Sequence, residues 1–143
     1  MTVSSTGVSG VVMLQTYSKT QTKFECKIKG LEPGYHGMHI HACGDLRKGC
    51  QSGCAHYNPT NSKHGGPKGD QRHKGDLGNI LADSTGYSSS VIIADVTIDE
   101  ILGRMLVIHA GEDDLGKQSS KESKETGNSG PRIACGIVGR LSG

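Results

Sequence analysis

Aromatic side chains are scarce in this 143-residue chain, which has no Trp, one Phe and four Tyr. Whatever core it builds must therefore be mainly aliphatic. Net charge is small, at +2, and no basic tract is interleaved with aromatics, which argues against a nucleic-acid partner. No apolar run approaches the roughly 20 residues that a membrane-spanning helix needs, so no membrane partner is expected. The opening MTVSSTGVSG lacks a basic segment leading into an apolar stretch, so no secretory signal is expected and the default location is cytoplasmic. Five cysteines, Cys26, Cys43, Cys50, Cys54 and Cys135, are an odd number, unlike a secreted disulfide framework.

Glycine, by contrast, is abundant. There are 22, where average usage of about 7% gives roughly ten. Such a chain favours tight turns and crowded loops over long helices, and its length suits one domain, residues 1–143. Strand patterning agrees. Residues 8–16 read as a strand, and 23–29 alternate, with Phe24, Cys26 and Ile28 on one face and charges on the other. Further strands are expected over 35–41, 78–82, 89–96, 105–109 and 132–141. Between Ala42 and about Gly75 the periodicity disappears. A loop that long in a compact domain needs a function to account for it. A second polar loop, 110–130, carries charges of mixed sign. Short strands, turns and two long loops predict an all-β antiparallel sandwich or barrel with Greek-key links.

The long loop and the strand before it hold most of the metal-binding chemistry. His39 and His41 are two apart on a strand, so they share a face, roughly 6–7 Å from each other. His56, His64, His73 and Asp76 follow, and His109 ends a later apolar strand. Three imidazoles and a carboxylate match the tetrahedral N/O set that zinc favours. His39, His41 and His109 suit copper or zinc equally by ligand type. Ligand counting alone gives a one-metal or two-metal site with the metals undecided.

The strings GMHIHACGD, GCQSGCAHYNP, KHGGPKGDQRHKGDLGN, GRMLVIHAGEDDLGK and ETGNSGPRIACGIVG strongly resemble copper–zinc superoxide dismutases, in the same order and across about Gly7 to Gly139. The resemblance implies an immunoglobulin-like Greek-key sandwich, an architecture of which these enzymes are themselves standard examples. It implies that His39, His41, His56 and His109 bind copper, and that His56, His64, His73 and Asp76 bind zinc, with His56 bridging. It further implies disproportionation of superoxide to dioxygen and hydrogen peroxide by Cu(II)/Cu(I) cycling. Arg132 would attract the anion and His56 would supply a proton. Asp113 would link His39 to His64, and Cys50 would pair with Cys135. A homodimer and a copper-delivery chaperone are the expected protein partners. His36 corresponds to a packed histidine outside the metal set.

Departures from the family pattern set further expectations. Only six residues precede Gly7, so the first strand is expected to be shortened or missing. Lys121-Glu122 and Glu125-Thr126 reverse two charges in the second loop, which predicts an altered salt dependence of anion steering. Cys54 is expected to compete with Cys50 for Cys135, while Cys26 and Cys43 read as small buried apolar groups. The alternative reading of the whole chain is a non-catalytic metal-binding decoy or a copper-chaperone-like domain on the same fold.

Overall fold

The computed structural model describes residues 2–5 (backbone only), 7–67 and 71–142; residues 68–70, inside the third of the quoted strings, lie outside the described residues. Among the described residues are nine strands: β1 (Thr2–Ser5), β2 (Val8–Thr16), β3 (Thr22–Lys29), β4 (Gly34–His41), β5 (Arg47–Cys50), β6 (Asp76–Ala82), β7 (Ser88–Ala94), β8 (Met105–His109) and β9 (Arg132–Ile137). Two short α-helices, α1 (Ile98–Ile101) and α2 (Lys121–Thr126), and a 3-10 turn at Gln51–Gly53 join them. The first strand is short but present, and it forms an antiparallel hairpin with β2 (Ser5 opposite Val8) and pairs with β9.

Eight strands hydrogen-bond in the order β6-β4-β8-β9-β1-β2-β3-β7. The two ends of that order, β6 and β7, are consecutive in the chain. A turn at Asp83–Tyr87, with mutual backbone bonds from Asp83 N to Tyr87 O and from Gly86 N to Asp83 O, connects them. The sheet therefore curls over onto itself as a flattened antiparallel barrel, the sandwich expected from the sequence. Its inside is aliphatic: Val12, Phe24, Ile28, Met38, Ile40, Ile80, Leu106 and Ile108 are fully buried. Each such side chain contributes about 1.5–3 kcal/mol by leaving water. Cys26 belongs to this core, as expected, and burial followed by the charge of Glu25 pushes its thiol up to about 12.

Two departures from regular pairing bear on function. On β6, Gly37 faces Asn79 but His39 faces Asp76, so β6 carries an extra residue at Leu77–Gly78. Gly78 takes φ +82° there, and both Leu77 and Ile80 point inward. On β9, Ile108 faces Ala134 but His109 faces Arg132, so Ile133 is the extra residue. Each bulge re-aims one side chain from the rim of the barrel. Helix α1 and helix α2 were not legible as helices in the sequence; α1 is closed by a Thr97/Glu100 capping box, and α2 by Ser120 at its start and Gly127 at its end. Among the described residues, no helix is long and apolar enough to cross a membrane.

Candidate metal centre

The metal-binding face is the outside of the barrel, not its core. Along β4, His36, Met38 and Ile40 alternate with His39 and His41, and the second pair projects outward beside His109 of β8. His36 faces the other way, its two ring nitrogens 2.8 Å from His109 O and 2.7 Å from Glu32 O. It does not join the cluster. The long loop folds over the outward face and delivers His56 through an antiparallel bridge to His41.

Several contacts hold that loop down. Buried Arg72 donates to the carbonyls of Asp95 (3.0 Å), Lys74 (2.6 Å) and Asp76 (3.1 Å). Arg104 stacks on Tyr57, 4.1 Å from the ring centre, and donates to Ala42 O. These anchors were missed in the sequence, because a lone arginine gives no sign that it will be spent on backbone carbonyls.

Hydrogen bonding fixes which nitrogen each imidazole leaves bare. A carbonyl or carboxylate oxygen can only accept, so the nitrogen facing it must carry the proton. His41 Nδ1 donates to Cys54 O at 2.8 Å, and His109 Nδ1 donates to Gly130 O at 2.8 Å. His39 Nε2 and His64 Nε2 both donate to the buried Asp113 carboxylate, at 2.7 Å each. His39 Nδ1, His41 Nε2 and His109 Nε2 are buried with no hydrogen-bond partner among the described residues, whereas His64 Nδ1 faces Asp76 Oδ1 at 2.9 Å and holds a proton that a cation would displace. Buried polar atoms without partners are costly, and lone pairs converging in this way call for a cation.

They converge as two sets. His39, His41, His56 and His109 place one donor atom each within 4.8 Å of one another. In the second set, Asp76 Oδ1 lies 3.0 Å from His56 Nδ1, 2.9 Å from His64 Nδ1 and 3.3 Å from His73 Nδ1. His56 Nδ1 and His73 Nδ1 are 3.0 Å apart. Four donors around zinc at about 2.0–2.1 Å form a tetrahedron with edges of about 3.3 Å, so these spacings fit one small cation. By distance alone His39 also falls within reach of His56, His64 and Asp76. We favour His73 as the fourth donor, because its Nδ1 touches two members while His39 already serves the first set. His56 belongs to both sets; with Nδ1 in the second, Nε2 is the nitrogen it can offer to the first.

Electrostatics follow from this burial. Desolvation, with the charge of His56 as the next cause, pushes His39 down to about 3 and His41 down to about 2. Burial likewise pushes His109 down to about 4. All three are thus neutral and ready as ligands. Burial works against the charged form of His64 too, but bonds to Asp113 and Asp76 outweigh it and push the group up to about 9. Burial similarly opposes ionisation of Asp113, yet bonds from His39 and His64 hold it down at about 2.

Arg132 stands at the edge of a cleft of about 1080 Å³ that opens over His41, His56 and His109 and is bordered by Lys121 and Lys124. Its guanidinium donates to Cys50 O at 2.8 Å and Cys54 O at 2.6 Å. Burial lowers its pKa, but a guanidinium stays charged at any ordinary pH.

Cysteine pairing corrects two expectations and meets a third. Cys50 is bonded to Cys135, tying the long loop to β9. Cys54, however, is bonded to Cys43, so neither is available for exchange in the folded chain and Cys43 is not a buried apolar group. The alternation of β4 explains it: Cys43 continues the outward register of His39 and His41, so its side chain meets the loop instead of the core.

The family model described as "Copper/zinc superoxide dismutase (SODC)" matches residues 8–138. This chain belongs to the copper/zinc superoxide dismutase family. It is 52% identical over 121 residues to "Superoxide dismutase [Cu-Zn] 3" of Arabidopsis thaliana, covering 81% of this chain and 73% of that one. It is 46% identical over 137 residues to "Copper chaperone for superoxide dismutase" of Rattus norvegicus, covering 95% of this chain. It spans half the length of that chaperone. The family domain thus occurs among these relatives under two names, one an enzyme and one a chaperone.

Proposed function

We propose that the chain is an active superoxide dismutase, with copper held by His39, His41, His56 and His109 and zinc by His56, His64, His73 and Asp76. The observation that carries this reading is the combination of both donor sets with Arg132 at an open cleft. Storage of a metal needs the donors alone. When bound, copper would supply reversible one-electron exchange, and zinc, which has no redox chemistry, would supply charge and hold the loop.

The chain's own residues do the remainder. Arg132 bonds only carbonyls among the described residues, so its full charge is available to attract and orient superoxide. Asp113 keeps His39 and His64 in the tautomers that expose Nδ1. His56 is the one member of the first set whose far nitrogen is not donated to a carbonyl or to Asp113. Its Nε2 is therefore the position at which a proton can be held and passed to the product. Two superoxide anions and two protons give one dioxygen and one hydrogen peroxide.

A chaperone-like role is the second reading, favoured by the alignment with the rat chaperone over 95% of this chain. Superoxide consumption by protein loaded with copper and zinc, beside a His109→Ala control, separates the two. Rapid consumption lost in the control supports the enzyme. Negligible consumption with both metals verified as bound supports the chaperone-like role. Homodimer assembly, copper delivery by a chaperone and a cytoplasmic location are further parts of this proposal, supported by likeness to the family.

A further inference from the structure

Cys54 is a non-glycine residue at φ 67° and ψ −157°, a region that is in practice reserved for glycine. A side-chain-bearing residue stays there only when its surroundings over-determine it. Here they do. The neighbouring carbonyls of Gly53 and Ala55 accept from Cys43 N and Ala42 N, both at 2.9 Å, and the Cys54 side chain is bonded to Cys43. With the carbonyls on either side turned toward residues 42–43, the Cys54 carbonyl points away from them. It receives His41 Nδ1 at 2.8 Å and Arg132 Nη2 at 2.6 Å. One oxygen therefore orients both an imidazole of the first donor set and the guanidinium at the cleft.

We propose that Cys54 is a positioning residue, whose carbonyl is locked by the Cys43–Cys54 disulfide to align Arg132 with the His41 side of the metal centre. The disulfide substitutes for the conformational freedom that a glycine would have given this position. This proposal rests on the reading of Arg132 as the anion-binding group. It does not require that superoxide be turned over.

Two double variants separate positioning from simple stabilisation. Cys43→Ala/Cys54→Ala removes the disulfide and keeps the strained Cβ. Cys43→Ala/Cys54→Gly removes the disulfide and the strain together. On copper- and zinc-loaded protein, azide binding is titrated through the copper visible spectrum, and thermal unfolding is recorded alongside.

The alanine variant is expected to bind azide about tenfold more weakly, the scale of one misaligned hydrogen bond to a charged group. The glycine variant is expected to return to within about twofold of the parent. A purely structural disulfide lowers the unfolding temperature of both variants and leaves their azide affinities alike, and that result overturns the proposal. So does peptide mapping of the parent that finds Cys43 and Cys54 as thiols. If superoxide is not consumed but the azide affinities still rank in this order, the enzymatic reading fails and the positioning role stands.

Discussion

Gly127 ends α2 in the left-handed region, at φ 74°, beside the pair formed by Asp113 and His64. A Cβ at this position would run into Asp113 Oδ1 and into His64 Nε2. The carboxylate it would displace is the one that fixes two imidazole tautomers, so the damage reaches the metal donors without touching them. Gly127→Ala is therefore expected to cost at least about 1–3 kcal/mol from backbone strain alone, and to weaken zinc binding about 10- to 100-fold. Urea unfolding of the metal-free protein and a chelator competition for zinc read the two effects. An unchanged zinc affinity would show that Asp113 can move without consequence. Some of this was visible beforehand: Asp113 could be placed by resemblance, whereas Gly127 looked like any turn glycine. The crowding that makes it irreplaceable comes from a residue fourteen positions earlier and another from the far loop, and no local pattern encodes that.

Regular strands were the most legible part of the chain, since alternation in β3 or the apolar run of β8 shows directly which face is inside. Elements that depend on tertiary contact were not. The bulges at Leu77–Gly78 and Ile133 set Asp76 opposite His39 and Arg132 opposite His109, yet a bulge is a property of two strands together. Helix α2 is only six residues long, too short to show a helical period, and it depends on its caps and on Ser123 bonding Asp114. Its reversed charges stand in a new light. Lys121 and Glu125 are one turn apart and 3.8 Å from each other, and both border the cleft. As an exposed pair they add little stability. They add no net charge at the mouth, but their order sets which end of α2 is positive, so exchanging them redistributes the local field there. The Lys121→Glu/Glu125→Lys variant should thus unfold at the parent's temperature but show a different slope of superoxide consumption against ionic strength. Equal slopes would rule out any steering role for this pair.

At the scale of the whole molecule, the metal centre is an arrangement of two loops against one barrel face, and covalent links hold one of those loops twice. The two links differ in kind. Cys50–Cys135 spans 85 residues, and Cys43–Cys54 spans 11. If a disulfide acts by restricting the unfolded chain, stabilisation grows with the logarithm of the closed loop, giving about 4–5 kcal/mol for the first and about 3 kcal/mol for the second. The short one adds the smaller global constraint, in keeping with a local task at Cys54. Removing the long one, by Cys50→Ser/Cys135→Ser, should therefore cost at least about 2 kcal/mol more than Cys43→Ala/Cys54→Gly, with both measured by urea unfolding of metal-free protein. Relief of strain at residue 54 offsets part of the cost of the second variant and widens the gap beyond loop entropy alone. Costs that come out equal, or in the reverse order, would mean that the long disulfide acts within the folded state, by holding the Cys50 carbonyl under Arg132, and not through the unfolded chain. In that case the azide titration used for Cys54 should respond to its loss as well, and both links would belong to the positioning of one guanidinium.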